Sequence, residues 1–338
     1  MPLKTTWSSR FPHSGHVAIV GRAGLTVNML QPLDAPTILI CGPTACGKSR
    51  LALLLAERLG GVVINADSMQ VYRELRVLTA RPTPAEEARV KHDLYGFVSG
   101  RVAYSAGRYG VDAARAIAEA GRRGRVAIVV GGTGLYFKVL LEGLSPIPTV
   151  DPDVRTYWRG RAAALQPRQL HAVLGEKDPV MAARLMPSDP QRIVRALEVL
   201  ESTGRSLAEW QREKGRPVVT ANARRILLQP DPVAHAAAIA RRFDAMLAAG
   251  ALAEVRELVA ERFSAELPIM RALGVAPLAA YLAGEATFEG AVAAAKSETR
   301  RYAKRQATWF RRNMISWEVI KTKEMESLMA GDLSFICH

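Results

Sequence analysis

The sequence predicts an α/β fold: a parallel sheet flanked by helices, with an inserted all-helical module and a helical C-terminal region. Three observations carry this expectation. Short β-branched apolar runs end in glycine-rich or polar turns and give way to helix-forming stretches, the pattern of strands buried on both faces. One of these units contains a phosphate-binding loop. From Asp151 to about Gln211 the strand signals stop, and Arg-, Ala- and Leu-rich helical patterns replace them.

The first strand is expected at Thr37–Cys41. It runs into Gly42-Pro43-Thr44-Ala45-Cys46-Gly47-Lys48-Ser49, which fits the phosphate-loop pattern at every required position. Ser49–Leu59 then reads as a helix stopped by Gly60-Gly61. Strand, glycine loop and helix in that order make the sheet P-loop NTPase-like. They also make the octet a cradle for a polyphosphate. Backbone N–H groups and the positive helix end surround the anion, Lys48 adds a point charge, and the Ser49 hydroxyl is within reach of Mg²⁺.

A second strand, Val62–Asn65, ends in Ala66-Asp67-Ser68-Met69-Gln70. Open α/β sheets place their sites at the carboxyl ends of strands, so Asp67 is a candidate catalytic carboxylate. An Asp-Ser pair at a strand exit is also a common helix cap. Leu78–Glu87 reads as a loop and Ser105–Arg123 as an Ala-rich amphipathic helix. A third strand, Val126–Val130, breaks into Gly131-Gly132-Thr133-Gly134 before a helix from Leu135 to Glu142. Thr133 either meets a ligand or caps that helix.

The inserted module opens at Asp151–Arg155, and within it Asp189 and Pro190 start a helix with Arg192 and Arg195 on one face. Arg224–Gln229 resembles a returning strand, and helices around Ala236–Ala249 and Leu252–Phe263 meet at Gly250. The expected division is a disordered extension over 1–35, a P-loop core over 36–150, the module over 151–220, a return to the core over 221–315, and a tail over 316–338. Met29 is an alternative start, and the tail beyond Trp317 has no readable role.

The chain has 338 residues and a formal net charge of +14, which favours polyanionic partners, nucleic acid first among them. In Lys296–Arg312, Lys296, Arg300, Arg301, Lys304, Arg305, Arg311 and Arg312 face Glu298 alone, with Tyr302, Trp309 and Phe310 interleaved. That pattern fits an RNA surface, where bases stack on aromatics, or a plain solvated helix face. Cys41, Cys46 and Cys337 have neither disulfide-framework nor zinc spacing, as expected in a reducing cytoplasm. No apolar run is long enough to span a membrane.

The loop alone says that a diphosphate or triphosphate binds. A phosphoryl-transfer enzyme should carry a second acidic strand end for Mg²⁺ and an arginine-bearing lid. The third strand offers Gly-Gly-Thr there, while Asp67 can supply the acid, so a P-loop kinase of a nucleoside or small metabolite stays open.

Taken together, Gly42–Ser49, Asp67-Ser-Met-Gln-Val-Tyr72, Thr79-Ala-Arg-Pro-Thr83, Tyr104-Ser-Ala106, Gly131-Gly-Thr-Gly-Leu-Tyr-Phe137, Asp189-Pro-Gln-Arg-Ile-Val-Arg-Ala-Leu-Glu198 and Arg305-Gln-Ala-Thr-Trp-Phe-Arg311 resemble the bacterial tRNA dimethylallyltransferases, in that family's order. Cys46 stands where Ser is usual, Lys91-His92-Asp93 where Pro-His-His is common, and Gly274-Val-Ala-Pro277 where Gly-Tyr-Arg/Lys is usual.

The resemblance implies transfer of the dimethylallyl group of dimethylallyl diphosphate to N6 of the adenosine just 3′ of the tRNA anticodon, with release of pyrophosphate. It implies that Gly42, Pro43, Thr44, Ala45, Cys46, Gly47, Lys48 and Ser49 hold the diphosphate, with Mg²⁺ at Ser49. Asp67 matches the general base, Thr133 a residue near the reacting amine, and Arg271 a cation for the leaving group. Asp67, Ser68, Met69, Gln70, Thr133, Arg155, Gln191, Arg192, Ile193, Val194 and Arg195 match tRNA-contacting positions. The implied partners are the tRNA anticodon stem-loop and dimethylallyl diphosphate, for a monomer in the cytoplasm with no membrane association.

Overall fold

The computed structural model describes residues 35–323 and 325. The expected extension up to residue 34 and the end of the tail, with Cys337, lie outside them.

The apolar runs form the expected strands within a residue: β1 (Thr37–Cys41), β2 (Val62–Asn65), β4 (Ala127–Gly131) and β5 (Arg224–Gln229). Two further strands complete an all-parallel sheet of order β3-β2-β4-β1-β5-β6, namely β3 (His92–Asp93) and β6 (Glu318–Lys321). β4 thus lies between β1 and β2. Its register pairs Cys41 with Gly131 and Asn65 with Val130, so the loops leaving these three strands emerge side by side at one level. This is the edge where an open α/β sheet gathers a site.

β6 corrects the reading of the tail. Glu318-Val-Ile-Lys321 is an edge strand bound to β5 and held further by an Arg224–Glu318 ion pair at 2.9 Å. Four residues with charged ends carry too little periodicity to announce a strand. The expected loop over Leu78–Glu87 also contains the start of a helix, α2 (Pro84–Arg89). Thr83 and Glu86 form a reciprocal capping box there.

Alternate strand residues feed two layers, since successive side chains point to opposite faces. Ile38, Ile40, Ile128 and Val130 pack with Leu51 and Leu55 of α1 (Lys48–Leu59). Leu39, Ile64 and Val129 pack with Ile117 of α3 (Ala106–Arg122), Phe137 of α4 (Gly134–Glu142) and Phe310.

The residues expected to form the module are helical: α5 (Pro152–Ala164), α6 (Pro167–Lys177), α7 (Pro179–Ala182), α8 (Pro190–Thr203) and α9 (Leu207–Trp210). Asp151, Asp178 and Asp189 precede a proline and cap α5, α7 and α8 through their carboxylates. Trp158, Leu170, Leu174, Ile193 and Leu197 form a core separate from those on the sheet. The two connections to the sheet pass back to back at Gly143 and Gly215. A Cβ on Gly143 would lie 2.4 Å from the Arg216 backbone, and one on Gly215 2.3 Å from the Leu144 nitrogen. Only glycine permits that approach.

After β5 the chain forms α10 (Pro232–Ala248), α11 (Ala251–Ala260), a 3₁₀ turn (Pro268–Arg271), α12 (Val275–Leu282) and the 26-residue α13 (Phe288–Asn313). α13 packs against α12, α10 and α4, which brings it over the carboxyl edge of the sheet.

Candidate active site

The phosphate loop turns tightly into α1, with Ala45 at φ 60° and Gly47 at φ 88°, both left-handed. A Cβ on Gly42 would sit 2.7 Å from the Cys46 thiol and 2.9 Å from the Leu228 carbonyl, so the first glycine is required by packing. Cys46 is buried with its thiol turned inward, consistent with the loop binding through its backbone. Lys48 Nζ donates to the Pro43 carbonyl at 3.1 Å and Ser49 is exposed. A cavity of about 640 Å³ opens in front, lined by Lys48, Ser49, Arg50, Arg76, Arg81 and Arg242 among others. Its cations suit a polyphosphate. Met325 packs against the loop from behind, where a Cβ on Gly47 would meet its methyl at 2.7 Å. The tail residue therefore contributes to the loop's seat.

Asp67 is set by its neighbours at the end of β2. The fully buried Asn65 accepts the Asp67 N–H at 2.7 Å, and its amide donates to the carbonyls of Asp67 and Leu94, each at 3.0 Å. One Asp67 carboxylate oxygen accepts the Met69 N–H at 2.9 Å, closing a turn. Thr133 precedes α4 without capping it. Its hydroxyl accepts the Ser68 N–H at 2.9 Å and donates to the Ser68 hydroxyl at 3.2 Å. Gly131 lets these strand ends meet, since a Cβ there would lie 2.0 Å from the Ala66 carbonyl oxygen. Burial, reinforced by the Asp67 charge, pushes the hydroxyls of Tyr95 and Tyr302 above the usual tyrosine range. Both stay neutral beside the carboxylate.

A second cavity, of about 500 Å³, contains Asp67, Ser68 and Met69 together with Gln191, Arg271, Tyr302 and Arg305. Ala45, Arg242 and Met246 line both cavities and form the junction between them. Arg242 Nη1 donates to the Thr44 hydroxyl at 3.3 Å. Burial lowers the pKa of this guanidinium, opposed by the charge of Asp67. Gln70 lines the first cavity, and its amide donates to the Thr79 and Ala80 carbonyls.

Several expected site residues stand elsewhere. Thr133 lies behind Ser68 and lines neither cavity, as does Arg155 on α5. Arg271 is exposed and lines the Asp67 cavity but not the one at the phosphate loop. On α8, Ile193 and Val194 are 0% and 9% exposed within the module's core. Pulling either out to touch RNA would forgo about 1.5–3 kcal/mol of burial, so Gln191, Arg192 and Arg195 are the side chains this segment offers.

α13 needs the same sorting. Lys296 is held by Asp244 of α10 at 2.6 Å, an opposing charge that the run by itself did not reveal. Phe310 is buried and Trp309 turns inward, where a Cβ on Gly134 would lie 2.1 Å from its ring. Neither is free to stack on a base. Tyr302 faces the cavity, with the Arg305 guanidinium 5.6 Å from its ring centroid. Arg300, Lys304, Arg311 and Arg312 are exposed and pair with no carboxylate among the described residues.

The sequence does not single out Arg242, His235 or Gln306, whose side chains each hydrogen-bond to Thr44 of the phosphate loop. For Arg242 a signal existed: it interrupts the apolar stripe Ile239, Phe243, Met246 of α10, where a cation needs an anionic partner.

Comparisons with known proteins bear on the chain as a whole. Residues 36–95 match the family described as isopentenyl transferase, and residues 70–313 the family described as IPP transferase. The tRNA dimethylallyltransferase of Parvibaculum lavamentivorans is 52% identical over 308 residues, covering 91% of this chain and 98% of that protein. That of Methylobacterium nodulans is 54% identical over 276 residues, covering 81% and 91%. Among solved structures, the full-length tRNA isopentenylpyrophosphate transferase of Bacillus halodurans superposes with TM-score 0.62 at 31% identity, covering 90% of this chain and 96% of that one. A eukaryotic dimethylallyltransferase acting on tRNA gives TM-score 0.73 at 25% identity, covering 87% and 76%. A family match over residues 70–313, with relatives more than half identical over most of the chain, places the protein in the IPP transferase family.

Proposed function

We propose that the protein transfers the dimethylallyl group from dimethylallyl diphosphate to N6 of the adenosine 3′ of the anticodon of tRNA, releasing pyrophosphate. The observation that carries this reading is the junction of the two cavities at Ala45, Arg242 and Met246. A diphosphate held by the phosphate loop then points its reactive carbon toward a cavity with a carboxylate in it. A kinase would need a phosphate acceptor there; a prenyl transfer needs a nucleophile and a base.

The exocyclic amine of adenine is a weak nucleophile because its lone pair is delocalised into the ring. As it attacks C1 of the donor, the C1–O bond breaks and the nitrogen gains positive charge. Asp67 accepts the proton that must then leave. Lys48, the loop amides and Arg242 stabilise the charge growing on pyrophosphate. Thr133 acts by holding Ser68 at the rim of the base cavity. Among the described residues no group of three or more His, Cys, Asp or Glu gathers to hold a metal. The exposed Ser49 hydroxyl would help hold a divalent ion such as Mg²⁺, which when bound with the donor would supply charge neutralisation for the leaving group.

The target base sits in the anticodon stem-loop and must leave its stack to enter the Asp67 cavity. Tyr302 offers a ring beside Asp67, and the exposed cations of α13 with Arg192 and Arg195 of α8 offer contacts to the backbone. A tRNA substrate and a soluble diphosphate donor would make the cytoplasm the place of the reaction.

Two measurements test the reading. Unmodified tRNA incubated with protein, Mg²⁺ and dimethylallyl diphosphate should gain a dimethylallyl mass on an anticodon-loop adenosine; ADP formation from ATP without that gain would return the loop to kinase chemistry. Replacing Lys304 and Arg312 by Gln should weaken tRNA binding and make its salt dependence shallower by roughly one to two counterions. An unchanged slope would make this face merely solvated.

A further inference from the structure

We propose that Gln306 is a positioning residue that ties the RNA-facing helix α13 to the phosphate loop, so that tRNA and the diphosphate donor strengthen each other's binding. The proposal rests on the transferase reading above.

Gln306 is 7% exposed, on the inner side of a helix whose outer side carries Arg301, Lys304 and Arg305. Both ends of its amide are used. Oε1 accepts the Thr44 N–H at 2.9 Å, and Nε2 donates to the Gly132 carbonyl at 2.7 Å. One helical turn on, Trp309 lies on Gly134. A single face of α13 therefore seats both the phosphate loop and the Gly131–Gly134 loop that positions Thr133.

The side chain is matched to this task. The site asks for one acceptor and one donor in a fixed plane, which a primary amide supplies without charge. Glutamate would set an oxygen against the Gly132 carbonyl, and an aliphatic side chain would leave both backbone groups without partners. A Cβ on Gly132 would come within 2.4 Å of Nε2, so the glycine makes room for the amide.

Thr44 is held from the other side as well. Its carbonyl accepts from His235 Nε2 at 2.7 Å and its hydroxyl from Arg242 at 3.3 Å. With its N–H committed to Gln306, Thr44 cannot turn that donor toward a phosphate. The donor-facing amides are those that follow it, from Ala45 onward, and their direction depends on how firmly the Thr44 peptide is fixed. RNA bound to the outer face of α13 restrains the helix and hence the anchor. By linkage, donor bound at the loop must favour RNA by the same factor.

The test uses the full chain with inorganic pyrophosphate and Mg²⁺ as probe, titrated with and without an unmodified anticodon stem-loop. The wild type should bind pyrophosphate roughly 5- to 20-fold more tightly with RNA present, within the usual range of coupling between sites. In Gln306→Met that enhancement should fall below about twofold and the donor KM should rise about tenfold, while RNA affinity without pyrophosphate changes less than twofold. Gln306→Glu, which keeps the acceptor for Thr44, should fall between the two and serves if the Met variant does not fold. Coupling unchanged in a folded variant, even one with a lowered Tm, would overturn the proposal, as would its absence in the wild type. Prenyl transfer by the same wild-type preparation separates these outcomes from a failure of the transferase reading itself.

Discussion

Asp67→Asn is expected to slow the chemical step by about 10²- to 10⁴-fold, the usual worth of a positioned general base, while tRNA affinity stays within about twofold. The substitution is informative because the geometry around it is over-determined. Asn65 fixes the backbone of residue 67 by accepting its N–H and donating to its carbonyl, and is itself anchored by donating to the Leu94 carbonyl. The Met69 N–H needs only an acceptor, which the carbonyl of Asn provides equally. What the variant loses is the capacity to take a proton. Single-turnover transfer to tRNA, with filter binding of the same tRNA, reads the two quantities apart. A rate within about tenfold of wild type would remove Asp67 as the base and leave it as the residue that closes the turn.

Much of this site was legible in the sequence, for a physical reason. A parallel strand buried on both faces must be a short apolar run, and a loop that approaches an anion or a neighbouring strand must be built from glycine. Those two demands mark Thr37–Ser49, Val62–Asp67 and Ala127–Gly134 in the chain itself. The topology that sets them side by side, with β4 between β1 and β2, follows from how parallel strands are crossed over and is not written at any one position.

The misreadings came from weighing composition over periodicity. Along α13, Tyr302, Gln306, Trp309 and Phe310 fall at helical spacings that share a side, and that side is the inner one. Counting cations and aromatics together hid the split between a packed stripe and a charged one. The partners of Gln306 and Arg242 lie 262 and 198 residues away at Thr44, a separation at which no local pattern carries information.

Arg242→Gln is expected to lower the transfer rate by about 10²- to 10³-fold, as loss of one preorganised donor to a developing anion does elsewhere. Arg271→Gln should change the same step by less than about tenfold and act instead on tRNA affinity. The contrast follows from position. Arg242 lines both cavities and touches the Thr44 hydroxyl, which on the proposed reading sets it beside the bond from donor carbon to diphosphate oxygen. Its burial disfavours charge, yet a guanidinium starts so far above neutrality that it remains protonated, and the Asp67 carboxylate supports it further. Desolvation then makes its attraction to pyrophosphate stronger than that of an exposed cation. Arg271, the exposed last residue of the 3₁₀ turn, meets only the cavity that would take the base. Pyrophosphate inhibition constants and tRNA dissociation constants, measured for both variants, should therefore move in opposite columns: the first for Arg242, the second for Arg271. If Arg271→Gln weakened pyrophosphate while Arg242→Gln did not, the leaving group would have to sit in the Asp67 cavity, and the assignment of the two cavities would be reversed.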